Sequence, residues 1–186
     1  MDHEKRRKQA RTIRVFRKIH RITGIFLFVF FFLIGFSGLL LGWKKNSGGY
    51  ILAPSYLGTL PGLSKALPLD SLNGKALFYA ATLFGKDKEH LIERIDVRPD
   101  KGMAKFIFKE KYNALQLDLS TGNLLHAEKR RADLIEHLHD GSMVDKLLLN
   151  DAGWFKLLYT TIMGLSLITF SITGFWLWYG PKRMNR

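Results

Sequence analysis

Two long uncharged runs bracket a segment of short alternations, and that pattern divides the chain. Between Arg21 and Lys44 lie 22 residues without a charge, ITGIFLFVFFFLIGFSGLLLGW. As a helix rising about 1.5 Å per residue, this run is about 33 Å long, which matches the hydrocarbon thickness of a bilayer. A second run of 25 uncharged residues lies between Lys156 and Lys182. Trp176, Trp178 and Tyr179 close it as an aromatic belt, and Trp43-Lys44-Lys45 closes the first run as an interface anchor. Two transmembrane helices are therefore predicted, over 19–43 and 154–180. A basic head before an apolar run also describes a secretion signal. This run exceeds the usual signal core, and no small-x-small cleavage site follows, so the span is read as retained.

Between the runs the period changes. Residues 44–68 are rich in Gly and Pro and read as a linker. Ser71–Phe84 carries Leu72, Leu77, Ala80, Ala81 and Phe84 on one helical face, with Asp70 or Ser71 as N-cap. Ile92–Val97, Met103–Phe108, Ala114–Leu119 and Leu124–Ala127 read as strands, joined by turns at Pro99-Asp100-Lys101-Gly102 and Ser120-Thr121-Gly122-Asn123. A short helix follows over Ala132–His139. The predicted class is an α+β membrane protein. Its parts are a head (1–18), a first span (19–43), a linker (44–68), a small domain (69–130), a helical connector (131–153), a second span (154–180) and a tail (181–186).

Charge adds an orientation. The net charge is +13. Nine Lys and Arg fall within the first 21 residues against Asp2 and Glu4, and the tail carries Lys182, Arg183 and Arg186 with no acid. From Ile13 the head becomes amphipathic, suiting an interfacial helix whose basic side chains reach lipid headgroups. Basic flanks at both ends place both termini in the cytoplasm and the middle outside it. The head lacks the interleaved aromatics that base stacking needs, which argues against nucleic acid as a partner. The middle balances 17 basic against 14 acidic side chains and shows no nucleophile–base–acid set, phosphate loop or paired carboxylates. No catalytic residue is expected there. The absence of cysteine excludes disulfides and thiolate metal sites.

The two spans resemble each other. Ser37-Gly38-Leu39-Leu40-Leu41-Gly42-Trp43 pairs with Thr173-Gly174-Phe175-Trp176-Leu177-Trp178-Tyr179, yet one run ends outside and the other inside. That is the pattern of an inverted repeat. Gly35, Gly38 and Gly42 form a small-residue stripe, as do Gly164, Ser171 and Gly174. Such stripes let helices approach closely, or make room for a flat cofactor.

Several motifs occur in a telling order. His20-Arg-Ile-Thr-Gly24 opens the first span. Leu115-Gln-Leu-Asp118-Leu-Ser-Thr121-Gly122-Asn-Leu-Leu forms a hairpin after a helix and two strands. Leu138-His139-Asp140-Gly141 precedes the second span, which ends in Thr173-Gly174-Phe175-Trp176-Leu177-Trp178. This set resembles the PepSY-associated transmembrane family, with a PepSY-like extracytoplasmic domain between the spans. Larger members with about twice as many spans look like inner-membrane reductases that use haem b to reduce ferric siderophores. The resemblance implies axial haem ligation by span histidines, electron transfer, and a link to iron uptake. This chain departs by having one pair of spans, which implies that it forms a homodimer, partners another membrane protein, or has lost the activity.

Neutral imidazole suits haem iron, and a histidine at a membrane span is a functional candidate in its own right. His20 and His139 are the candidate ligands, with Gly24 clearing space beside His20 and His137 in reserve. His139 lies about 15 residues before the second span and is expected outside the membrane, some 30 Å from His20 for a full span. One haem cannot bridge them. A two-fold dimer would supply two His20 to an inner haem and two His139 to an outer one. His3, His90 and His126 are expected on solvated surface. The competing reading is a non-redox anchored PepSY module that binds an envelope partner such as a protease.

Overall fold

The computed structural model describes residues 3–85, 89–109, 111–148 and 152–184. The outermost residues of the basic head and tail, 1–2 and 185–186, lie outside this set, as do residues 86–88 next to His90. The chain forms two compact units. One combines residues 1–39 with 136–186, and the other comprises residues 40–135.

The first unit is an antiparallel helix pair. Helix α1 (His3–Gly42) runs without interruption from the basic head through the first apolar run, and α5 (Trp154–Met184) contains the second. Phe16 near the start of α1 meets Trp176 near the end of α5, while Phe30 further along α1 meets Tyr159 near the start of α5. The outward surface is apolar: Ile25, Phe26 and Phe28 are 72%, 77% and 68% exposed. A surface of that kind is stable only against lipid or another apolar partner. Both helices are long and apolar enough to cross a membrane, over Arg6–Gly42 and Trp154–Lys182. The start of α5 is anchored by Asp145 of the short helix α4 (Ser142–Leu147). Its carboxylate accepts the N–H groups of Phe155 and Lys156 at 3.0 and 2.8 Å, satisfying donors that the first helical turn leaves unpaired.

The second unit is built on a sheet. Strands β1 (Ile92–Arg98), β2 (Met103–Phe108), β3 (Asn113–Asp118) and β4 (Leu124–Lys129) pair in that order as an antiparallel meander. Helix α2 (Leu69–Phe84) covers one face, where Leu72, Ala76 and Ala80 pack on Ala104, Phe106, Leu115 and Leu117. It starts two residues earlier than its apolar period suggests. Pro68 occupies the cap position without a side-chain cap, and Asp70 lies in the first turn. Helix α3 (Arg131–Asp140) leaves the sheet and runs into the first unit.

The Gly/Pro-rich segment read as a linker lies across the other face of the sheet. The N–H of Tyr56 donates to Gln116 Oε1, and Gln116 Nε2 donates to the Pro54 carbonyl, both at 2.9 Å. Gly58 and Gly62 donate to the carbonyls of Lys101 and Pro99. This approach requires glycine. A Cβ on Gly58 would overlap the Gly102 carbonyl, and Gly102 itself sits at φ +62° under the Leu60 carbonyl. Both β2 and β3 are consequently buried along their full lengths. Two histidines expected on solvated surface are instead half-buried. His126 stacks on Tyr56, and His90 binds the Gly85 carbonyl beside Phe84 and Phe108.

Asp118 ties the covering segment to the β3–β4 turn. It accepts the Thr59 N–H (2.6 Å) and hydroxyl (2.5 Å), the Ser120 N–H and hydroxyl (both 2.7 Å) and the Thr121 N–H (3.0 Å). Burial alone would raise its pKa, but the bonds from Thr59, Ser120 and Thr121 override burial and hold the carboxyl well below its ordinary value. A depressed carboxyl contributes stability that is complete above the unfolded pKa of about 3.9 and is lost as pH falls toward the folded one. Chemical denaturation of the full-length protein should therefore show about 1 kcal/mol less stability from this group at pH 3 than at pH 7. Asp118→Asn should abolish that increment. An equal acid loss in both proteins would reject the assignment.

Candidate functional site

The helix pair holds two histidines by the same means. His20 projects from α1 onto α5. Its Nδ1 lies 2.9 Å from Thr173 Oγ1, and its ring stacks on Phe170 with centroids 3.8 Å apart and 25° between planes. Gly174 follows Thr173, and its missing side chain admits the imidazole: a Cβ there would stand 3.3 Å from His20 Cε1. His139 sits one residue from the end of α3, where Gly141 at φ +78° turns the chain. Its Nδ1 lies 2.9 Å from Ser37 Oγ on α1, and a Cβ on the following Gly38 would stand 3.4 Å from His139 Cε1. Both rings are half-buried. For neither ring does Nε2 form a hydrogen bond among the described residues.

Ser37 is 17 residues along α1 from His20. At about 1.5 Å per residue the two imidazoles are therefore about 25 Å apart along the helix pair. His139 was expected outside the membrane. Its ring lies against α1 at Ser37, six residues before Trp43, because the sharp turn at Gly141 brings the end of α3 against Ser37 and Gly38. Gly141 itself is covered by the Tyr159 ring of α5. Asp140 accepts the Ser142 N–H and hydroxyl and pairs with Lys156 Nζ at 2.6 Å. These bonds outweigh burial and lower its pKa, which favours the ionised carboxylate.

The other residues singled out from sequence are placed differently. The space that Gly24 clears is filled by Phe170, whose Cε2 would stand 3.2 Å from a Cβ at that position. His137 lies two residues before His139, about 200° around the helix, and is not the histidine that meets Ser37. Ser37 and Thr173 were visible in the sequence only as members of the repeat. The signal that would have found them is the hydroxyl–glycine dipeptide, present as Ser37-Gly38 and Thr23-Gly24 in the first span and as Thr173-Gly174 in the second.

Among the described residues there is no group of three or more His, Asp or Glu side chains that could hold a metal ion. The donors present instead suit a group that brings its own equatorial ligands. Haem does so and asks the protein only for axial nitrogen. Each histidine here has one nitrogen fixed by the neighbouring helix and the other without a hydrogen bond among the described residues, so the residues fit haem one ligand at a time.

The architecture is that of an α+β membrane protein, with two membrane-spanning helices flanking a four-stranded antiparallel sheet and its covering helix. The family model of the PepSY-associated TM region matches residues 3–180, and the chain belongs to that family. No curated protein matches the sequence.

Proposed function

We propose that this protein is a haem b-carrying electron-transfer component of the bacterial inner membrane, with both termini cytoplasmic, serving reduction of ferric iron or a ferric siderophore. The observation that carries the reading is the pair of imidazoles, each anchored through Nδ1 and, among the described residues, unbonded at Nε2, at two levels of one helix pair. Bound there, haem would supply a one-electron iron couple in apolar surroundings. His20 and His139 would each give one nitrogen to the iron, Thr173 and Ser37 would hold the rings, and the lipid-facing Phe and Ile side chains would exclude water. Each chain supplies one histidine per level. A two-fold dimer completes both pairs, because an isologous interface presents the same residue twice.

Full-length protein purified in detergent from a haem-replete host is expected to show a Soret band that shifts on reduction, with about one haem per chain. A colourless protein overturns the proposal and favours the anchored module that binds an envelope partner without redox chemistry.

A further inference from the structure

We propose that Ser37 and Thr173 are positioning residues that fix the tautomer of His139 and His20, placing the ring proton on Nδ1 and the lone pair on Nε2. The protons available at each site assign this tautomer. A hydroxyl has one hydrogen to donate and lone pairs to accept with. Thr173 Oγ1 directs its hydrogen back along its own helix, 2.8 Å from the Thr169 carbonyl and 3.1 Å from that of Phe170. Ser37 Oγ does the same, 2.5 Å from the Leu33 carbonyl and 3.2 Å from that of Ile34. This is the ordinary back-bonding of Ser and Thr within helices. With its hydrogen so placed, each hydroxyl can only accept from the imidazole, so Nδ1 must carry the proton.

The opposite tautomer leaves a donor stranded. If the hydroxyl turned its hydrogen to Nδ1, the ring proton would sit on Nε2, for which the described residues offer no acceptor. An unpaired N–H in apolar surroundings is costly. In the Nδ1–H form both donors at each site are paired.

The two sites are the same device with the helices exchanged. A histidine of α1 is held by the Thr173-Gly174 pair of α5. The histidine just before α4 and α5 is held by the Ser37-Gly38 pair of α1. In each pair the hydroxyl sets the proton and the glycine lies against the ring. The inverted repeat thus carries a matched chemical function as well as close helix packing. The value of this tautomer for an axial ligand rests on the haem reading above; the tautomer itself does not.

The test uses the full-length chain labelled with 15N in its histidine rings and freed of haem or purified without it. In the parent and in Thr173→Ser, the 15N spectrum is expected to show His20 protonated at Nδ1. In Thr173→Val, which keeps the shape and removes the acceptor, the proton should move to Nε2 in part or in full. Ser37→Ala should do the same to His139 while leaving His20 unchanged, and it serves as the readout if Thr173→Val fails to fold. An unchanged Nδ1–H signal in these variants overturns the inference. Added haem should bind about 10- to 100-fold more weakly at the altered level, with recovery in Thr173→Ser. A protein that never takes up haem, yet whose ring proton moves as described, refutes the haem reading and supports the positioning role. The two failures are thereby distinct.

Discussion

Full-length protein carrying His20→Ala, purified from a haem-replete host, is expected to hold half the haem of the parent. His139→Ala should hold the other half, and the double variant none. The expectation follows from the separation. Ser37, the partner of His139, lies 17 residues along α1 from His20, about 25 Å, whereas one iron draws two imidazoles to within a bond length of itself. No single haem can use both residues, so the two centres should be lost independently. His20 also ties α1 to α5 through Thr173, and alanine removes that bond as well. His20→Gln separates the roles. Its amide can still donate to the hydroxyl but is a poor iron ligand, so it should lose the same haem with less effect on helix packing. Pyridine haemochrome content and reduced-minus-oxidised spectra decide the matter. Loss of neither centre in either alanine variant would defeat the ligand assignment, and loss of both in each would defeat the independence of the levels.

The elements were legible where local pattern and tertiary burial agree. Met103–Phe108 alternates Ala104, Phe106 and Phe108 against α2 and forms a strand over those same residues. The two spans declare themselves because lipid rewards an unbroken apolar run, with no need of tertiary detail. The covering role of the segment before Leu69 was not legible. Its glycines and prolines signal turns, and nothing local says that Gly58 must meet the Gly102 carbonyl. The polar positions Lys105, Gln116 and Asp118 are all buried under that segment, and nothing in the alternation of their strands says so. The candidate site fell between these cases. His20 and His139 stood out as histidines near spans, and Ser37-Gly38 and Thr173-Gly174 stood out as a repeat. Their crossed pairing spans 102 and 153 residues and depends on the turn at Gly141, which periodicity does not record.

Lys105→Met should destabilise the sheet unit by about 3–5 kcal/mol, the cost of leaving a buried charge without its partner. Lys105 Nζ lies 2.6 Å from Glu128 Oε1, and the two side chains are only 10% and 5% exposed. Gln116 Nε2 donates to the other carboxylate oxygen at 3.1 Å and, through the Pro54 carbonyl, joins the pair to the covering segment. Methionine keeps the lysine stem and its packing but removes the cation, so the loss falls on Glu128 rather than on a cavity. Adding Glu128→Gln should recover most of the stability. The neutral amide no longer needs a cation, and its carbonyl oxygen still accepts from Gln116. Well-packed neutral replacements of a buried pair are often close to neutral, whereas half of a pair is not. Denaturation of the full-length parent, both single variants and the double variant gives the coupling directly. Additive single-variant effects would mean that the sheet does not depend on this charge pair. A large positive coupling would mean that the polar layer beneath residues 54–59 is held as a unit, with Lys105 neutralising the one carboxylate that Gln116 alone cannot satisfy.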